Sequence, residues 1–187
     1  MSPRQKNQMD GFFQNTVDFF QHYRGKIIPA HEIQQHDFIG LNIAIIGIDQ
    51  HTAQNLHRLI PQAHQVLVFQ ISPAFILPEN ESSILKLISH PLIIKNRRLF
   101  SQRIKAMIAI RHLESKIQDQ WLKRQLMPNP ANKQKIFFKS DHYYRALQQA
   151  NCQLITWPIE KITDHAIQTI QDMSYPVDVI ISTYAAE

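Results

Sequence analysis

Asn42-Ile-Ala-Ile-Ile-Gly47-Ile-Asp-Gln-His-Thr52 is the stretch that decides the fold. Residues 42–47 form a short apolar run of the kind that becomes a parallel strand buried on both faces, and residues 47–52 read as a turn opening a helix. The order predicts the first strand of a dinucleotide-binding unit, which a G-x-G-x-x-G turn should follow. Of its three glycines only Gly47 is present. The first glycine permits the tight turn, the second lets a diphosphate approach bare backbone, and the third lets helix and strand pack closely. Asp49 stands at the second position and Thr52 at the third. A helix N-terminus attracts anions, but Asp49 adds a Cβ and a negative charge where the diphosphate would sit. The scaffold for a nucleotide is kept and its binding chemistry is lost.

Outward from this stretch, Ala53, Leu56, Leu59 and Ile60 predict a helix from about Gln50 to Ile60, ended by Pro61. Gln65-Val-Leu-Val-Phe-Gln70 predicts the next strand, closing a strand-helix-strand crossover. Residues 71–78 read as a loop, and residues 80–90 and 93–126 as helical, with Leu99, Ile104, Ile108, Leu113 and Ile117 apolar and Pro128 and Pro130 beyond. Lys135–Phe138 predicts a strand, Asp141 a helix cap, Gln153–Thr156 a strand, and Ile159–Ile162 with Ala166–Ile170 a hairpin-like pair. Val177–Ile181 predicts the last buried strand. Upstream, Phe12, Phe13, Val17, Phe19 and Phe20 predict a short amphipathic helix over residues 9–22, and Gly25, Pro29 and Gly40 bracket an irregular connector. The fold class is therefore α/β, a Rossmann-like parallel sheet with a helical insertion at about 79–127 and a small β-hairpin. Residues 1–40 read as N-terminal helix and linker, and residues 41–187 as the domain.

A chain of 187 residues, 44% hydrophobic, suffices for one main core. Its longest apolar runs fall far short of the roughly 20 residues a membrane-spanning helix needs. The N-terminal residues lack the pattern of a secretory signal. Cys152, the single cysteine, allows no internal disulfide, which fits a cytoplasmic location. It reads as a core residue, with a reactive thiol as the alternative. The net charge of +5 is unevenly spread, because residues 95–145 carry thirteen Lys and Arg against Glu114, Asp119 and Asp141. Such a stretch could attract nucleic acid, an anionic membrane surface or an acidic protein. Its cations follow a helical pattern without stacking aromatics, so it reads as a solvated surface and nucleic acid is not an expected partner. The ten histidines include His31 and His36, and His51 and His57, none at ligand spacing, and no metal site is expected. Ser140, Asp141 and His142 are adjacent in sequence, which is not triad geometry. His51 opens the helix and reads as a solvated first-turn residue.

Leu41–Gly47, Val66–Pro73 and Phe75–Pro78 together resemble the second Rossmann region of flavin-containing monooxygenases of the Baeyer-Villiger type. The resemblance continues through Trp121–Pro128, Ser140–Leu147, Asn151, Ile159–Thr163 and Val177–Thr183. It covers about residues 23–183. The resemblance implies two cooperating Rossmann regions, one for FAD and one for NADPH, with a reduced flavin that activates oxygen. This chain begins about where the family's FAD region ends, so the first glycine-rich turn is expected to be absent.

Three departures fall on the family's motifs. Tyr23–Pro29 is similar to a fingerprint that begins with an aromatic and a glycine, but Pro29 takes the place of its histidine and Ile33 that of its tryptophan. After Gln70, Ile71 stands where an arginine would meet the NADPH 2′-phosphate, and no acid is there to hold a ribose hydroxyl. Ser182-Thr183-Tyr184 takes the place of an Ala-Thr-Gly turn beside FAD. Gly47, Asp49, Thr52, Gln70, Ile71 and Ser72 thus match a vestigial NADP site, no catalytic residue is assigned, and no bound cofactor is expected. The expectation is a stand-alone relative of the NADPH-binding half, non-catalytic alone and acting in binding or assembly. The alternative is one half of a split FAD- and NADPH-dependent monooxygenase. Residues 9–22 are expected either to fold back over the exposed face or to pair with a second copy as a homodimer, the latter favoured, and a flavoprotein partner is the other association left open.

Overall fold

The computed structural model describes residues 20–80 and 102–184. The expected helix at 80–90 and most of the expected N-terminal helix lie outside them; Phe20–His22, its last residues, form a turn. Five parallel strands make the main sheet: β1 (Lys26–Pro29), β2 (Asn42–Ile46), β3 (Gln65–Phe69), β6 (Cys152–Ile155) and β10 (Val179–Ser182). Their spatial order is β1-β10-β2-β3-β6. Ile45 of β2 lies opposite Ile181 on one side and Val68 on the other.

The central strands β2, β3 and β10 are apolar over most of their length because both faces of the sheet are buried there. Alternate residues serve alternate faces. Ile43, Ile45, Val66, Val68 and Ile181 join one core cluster, and Ala44, Ile46, Leu67, Phe69 and Ile180 the other. The first face is covered by α1 (Gln50–Leu59), through Ala53, Leu56 and Leu59, and by α4 (Tyr143–Ala146). The second is covered by a small antiparallel sheet of β7 (Ile159–Ile162), β8 (Ala166–Thr169) and β9 (Ser174–Pro176), through Ile162, Ile167 and Tyr175. Burying each Ile or Leu of these layers contributes about 1.5–3 kcal/mol, so the two clusters hold the α/β architecture.

Between β4 (Phe75–Leu77) and β5 (Phe137–Lys139), which pair in parallel as a separate two-stranded sheet, runs the helical insertion with α2 (Gln102–Lys116) and α3 (Gln120–Leu126). No helix among the described residues is long and apolar enough to cross a membrane.

Several expectations are corrected. Lys26–Pro29, expected within the linker of residues 1–40, forms the edge strand β1 through main-chain pairing with β10. Phe75–Leu77, read as loop, is a strand. The single helix expected over 93–126 is broken after Lys116, and the Asp119 carboxylate caps α3 by accepting from Leu122 N–H. Asp141 caps no helix. Its carboxylate accepts from the Glu79 N–H and the Asn80 amide, while Ser140 Oγ accepts the N–H groups of His142 and Tyr143 at the start of α4. The expected hairpin gains a third strand, β9.

Candidate functional site

In an open parallel sheet, ligands bind outside the carboxyl ends of the strands, where the order of connection reverses. Here β2 and β3 advance toward one edge while β10 returns to the other side of β2, so that point lies at the end of β2. Gly47 follows at once, with φ +85, a backbone conformation that L side chains rarely adopt. A Cβ at this position would collide with Thr183 Oγ1 and come within 2.7 Å of Tyr184 Cε2. The Tyr184 ring therefore packs directly over the turn. Thr183 is tied to β2 by its N–H and its hydroxyl, both donating to Ile46 O.

Asp49 is the N-cap of α1. Its Oδ1 accepts from Thr52 N–H at 2.7 Å and from Thr52 Oγ1 at 2.9 Å, while Asp49 N–H donates back to Thr52 Oγ1 at 2.8 Å. This reciprocal capping box satisfies helix N–H groups that have no partner within the helix. An internal carboxylate thus holds the helix end that a glycine-rich turn would offer to a diphosphate. The three-residue spacing of Asp49 and Thr52 is legible in the sequence as a capping pattern.

At the end of β3, Gln70 is buried and engaged at both ends of its side chain. Its Oε1 accepts from Tyr143 Oη at 2.5 Å, and its Nε2 donates to Ser72 O at 3.2 Å. Tyr143 is fully buried, and desolvation first, then Tyr144 and Cys152, hold its phenol well above the usual range, so it remains a donor. Nothing in the sequence, across 73 positions, signals that pair. Ile71 beside it is 59% exposed.

Gly47, Gln70, Ile71 and Ser72 come together on one cleft of about 920 Å³. Asp49 and Thr52 do not line it; they bond to each other at the start of α1. The cleft wall also includes Phe69, Phe75, Phe138, Ile136 and Tyr184, with Asn129, Asn132 and Gln134 on the far side. Among these lining residues there is no Asp, Glu, Lys, Arg or His. The contribution of residues 129–138 was not foreseen, although Pro128 and Pro130 around Asn129 mark a turn.

The histidines lie apart from this cleft. His57 and His142 have ring centroids 4.6 Å apart, and burial, then His142, lowers the His57 pKa. His112 is buried, its pKa also lowered chiefly by desolvation. Burial pushes the Cys152 thiol up to about 12, which suits a core cysteine. Among the described residues no group of three or more His, Cys, Asp or Glu could hold a metal ion.

No family model matches the chain. A Baeyer-Villiger monooxygenase of Pseudomonas aeruginosa is 26% identical over 88% of this chain and 36% of its own length. An FAD-binding monooxygenase of Aspergillus niger is 28% identical over 91% of this chain and 32% of its own. Its homologues are Baeyer-Villiger and FAD-binding monooxygenases. The chain spans about a third of the length of these curated relatives. The fold agrees with monooxygenases of known structure: steroid monooxygenase bound to NADP has a TM-score of 0.68 at 16% identity, covering 88% of this chain and 43% of that one. Cyclohexanone monooxygenase from Rhodococcus sp. Phi1, bound to NADP+, has a TM-score of 0.69 at 14% identity, covering 86% and 41%. The resemblance first carried by Leu41–Gly47 and the later segments is thus upheld, and the shared architecture extends over most of this chain.

Proposed function

We propose that this chain is a Rossmann-like relative of the NADPH-binding half of flavin-dependent monooxygenases that no longer takes pyridine nucleotide and acts as a binding or assembly protein. The observation that carries this is the Asp49–Thr52 capping box. The carboxylate takes up the Thr52 N–H from within, and a diphosphate brought to the start of α1 meets like charge there. Among the described residues lining the cleft there is no compensating cation, and Ile71 offers a 2′-phosphate no charge-assisted hydrogen bond. NADP therefore does not fit the residues present.

Calorimetric titration is the test. NADPH and NADH are expected to bind with dissociation constants of about 1 mM or weaker, equivalent to roughly −4 kcal/mol. Micromolar affinity for either would overturn the proposal and favour the alternative, in which a separate flavoprotein chain completes an oxidising enzyme. The double change Asp49→Gly with Ile71→Arg is expected to strengthen NADPH binding at least about tenfold, because it frees the helix end and adds a phosphate partner. The purified protein is also expected to lack the visible absorption of bound flavin, since Tyr184 stands where the related turn approaches FAD.

A further inference from the structure

We propose that the cleft at the carboxyl ends of β2 and β3 binds an uncharged aromatic molecule bearing a hydrogen-bond acceptor at one end. This rests on the reading that the site has left pyridine nucleotides, and it names what the same space accepts instead. A volume of about 920 Å³ lies within the range of small-molecule sites, which are mostly apolar with a few placed polar groups.

The walls select against charge. Among the described residues lining the cleft none is Asp, Glu, Lys, Arg or His, so a phosphate, carboxylate or ammonium would lose hydration without gaining an opposite charge from the lining side chains. They select for rings, because the half-buried Phe138 and Tyr184 present aromatic surface, backed by Phe69 and Phe75 in the core beneath. At the mouth, Ile71 and Ile136 are 59% and 63% exposed, apolar area that a ligand would remove from water.

Most of the polar lining side chains, Asn129, Asn132 and Gln134, belong to one segment, while Gln70 and Ser72 stand at the end of β3. Gln70 is already bonded through both ends of its amide. Across the cleft, Asn129 Oδ1 accepts from Ala131 N–H and Asn132 Oδ1 from Gln134 N–H. Those turns fix the two carboxamides by their oxygens and leave their NH2 groups as donors. A ligand carbonyl or ether oxygen fits there, with its ring directed toward the phenylalanines.

Fluorescence titration with N-phenylnaphthylamine, an uncharged probe, and anilinonaphthalene sulfonate, a similar ring system carrying an anion, tests this on the full chain. The uncharged probe is expected to saturate at one equivalent, and the sulfonate to bind at least about tenfold more weakly. Ala74→Trp, which fills the cleft, and Ile136→Asp, which places a carboxylate at its mouth, should each weaken the uncharged probe by a similar factor. Ile39→Asp, exposed and outside the lining, should leave it unchanged. Equal affinity for both probes, absence of saturable binding, or indifference to Ile136→Asp in protein with unaltered circular dichroism would overturn the inference. Micromolar NADPH binding would overturn the proposed function itself; a protein that ignores both NADPH and the uncharged probe would overturn only the aromatic ligand.

Discussion

The interior of the main sheet and its carboxyl edge are built from the same two strands, yet they respond to sequence in opposite ways. Within β2 and β3, Ile43–Ile46 and Val66–Phe69 are all buried, and their role is volume and apolarity spread over two layers. Just past the strand ends, single side chains are the ones proposed above to govern what the domain can hold: Asp49, after β2, caps the helix and Tyr184, after β10, covers Gly47. The difference teaches that a fold can be retained by many interchangeable apolar contacts while its ligand chemistry turns on a few positions at one edge.

That contrast can be broken or sharpened by substitution. The largest effect is expected from Ile45→Ala, at 1% exposure between two strands, which should destabilise the domain by about 2–5 kcal/mol in urea unfolding. Ile71→Ala at the exposed edge should stay within about 0.5 kcal/mol, and comparable losses at the two positions would erase the distinction drawn here. Tyr143→Phe is expected to cost about 1–3 kcal/mol, because it strands the buried Gln70 Oε1 without its donor. Asp49→Ala should cost about 1 kcal/mol through the lost cap, whereas Asp49→Asn, which keeps an accepting oxygen and removes the charge, should cost a few tenths at most. If Asp49→Asn nonetheless improves NADPH binding, charge and not shape is what excludes the diphosphate.

The mildest prediction concerns pH. His57 and His112 have folded-state pKa values lowered from 6.5, chiefly by burial, so folding favours their neutral forms. Their contribution is fully present above the unfolded value and is lost as pH falls through the folded values. The urea midpoint should therefore decline from neutral pH toward about pH 5, and His112→Gln should flatten that decline. A midpoint independent of pH in this window would contradict the burial account.

How legible all this was in the sequence depended on the range of the interaction. The strands β2, β3 and β10 were readable because a strand buried on both faces must be apolar at every position. The strand β1 was not, since Lys26-Ile-Ile-Pro29 is short, bounded by Gly25 and ended by proline, and its partner lies at Val179–Ser182. Phe75–Leu77 was hidden between Pro73 and Pro78 for the same reason, with its partner beyond the helical insertion. At the candidate site the lost glycines could be seen locally. The Asn129–Phe138 wall and the Tyr143–Gln70 bond could not, because distant segments meet there only through tertiary packing.

The position of β10 carries a consequence for how the chain is made. It is the last strand among the described residues, yet it sits between β1 and β2, two of the earliest. During synthesis the sheet cannot close until residue 182 has left the ribosome, and until then β1 and β2 each present an unpaired main-chain edge where β10 will insert. Pairing across such sequence separation is slow relative to local helix formation. Insertion of β10, not formation of the helices, is therefore expected to limit completion of the sheet.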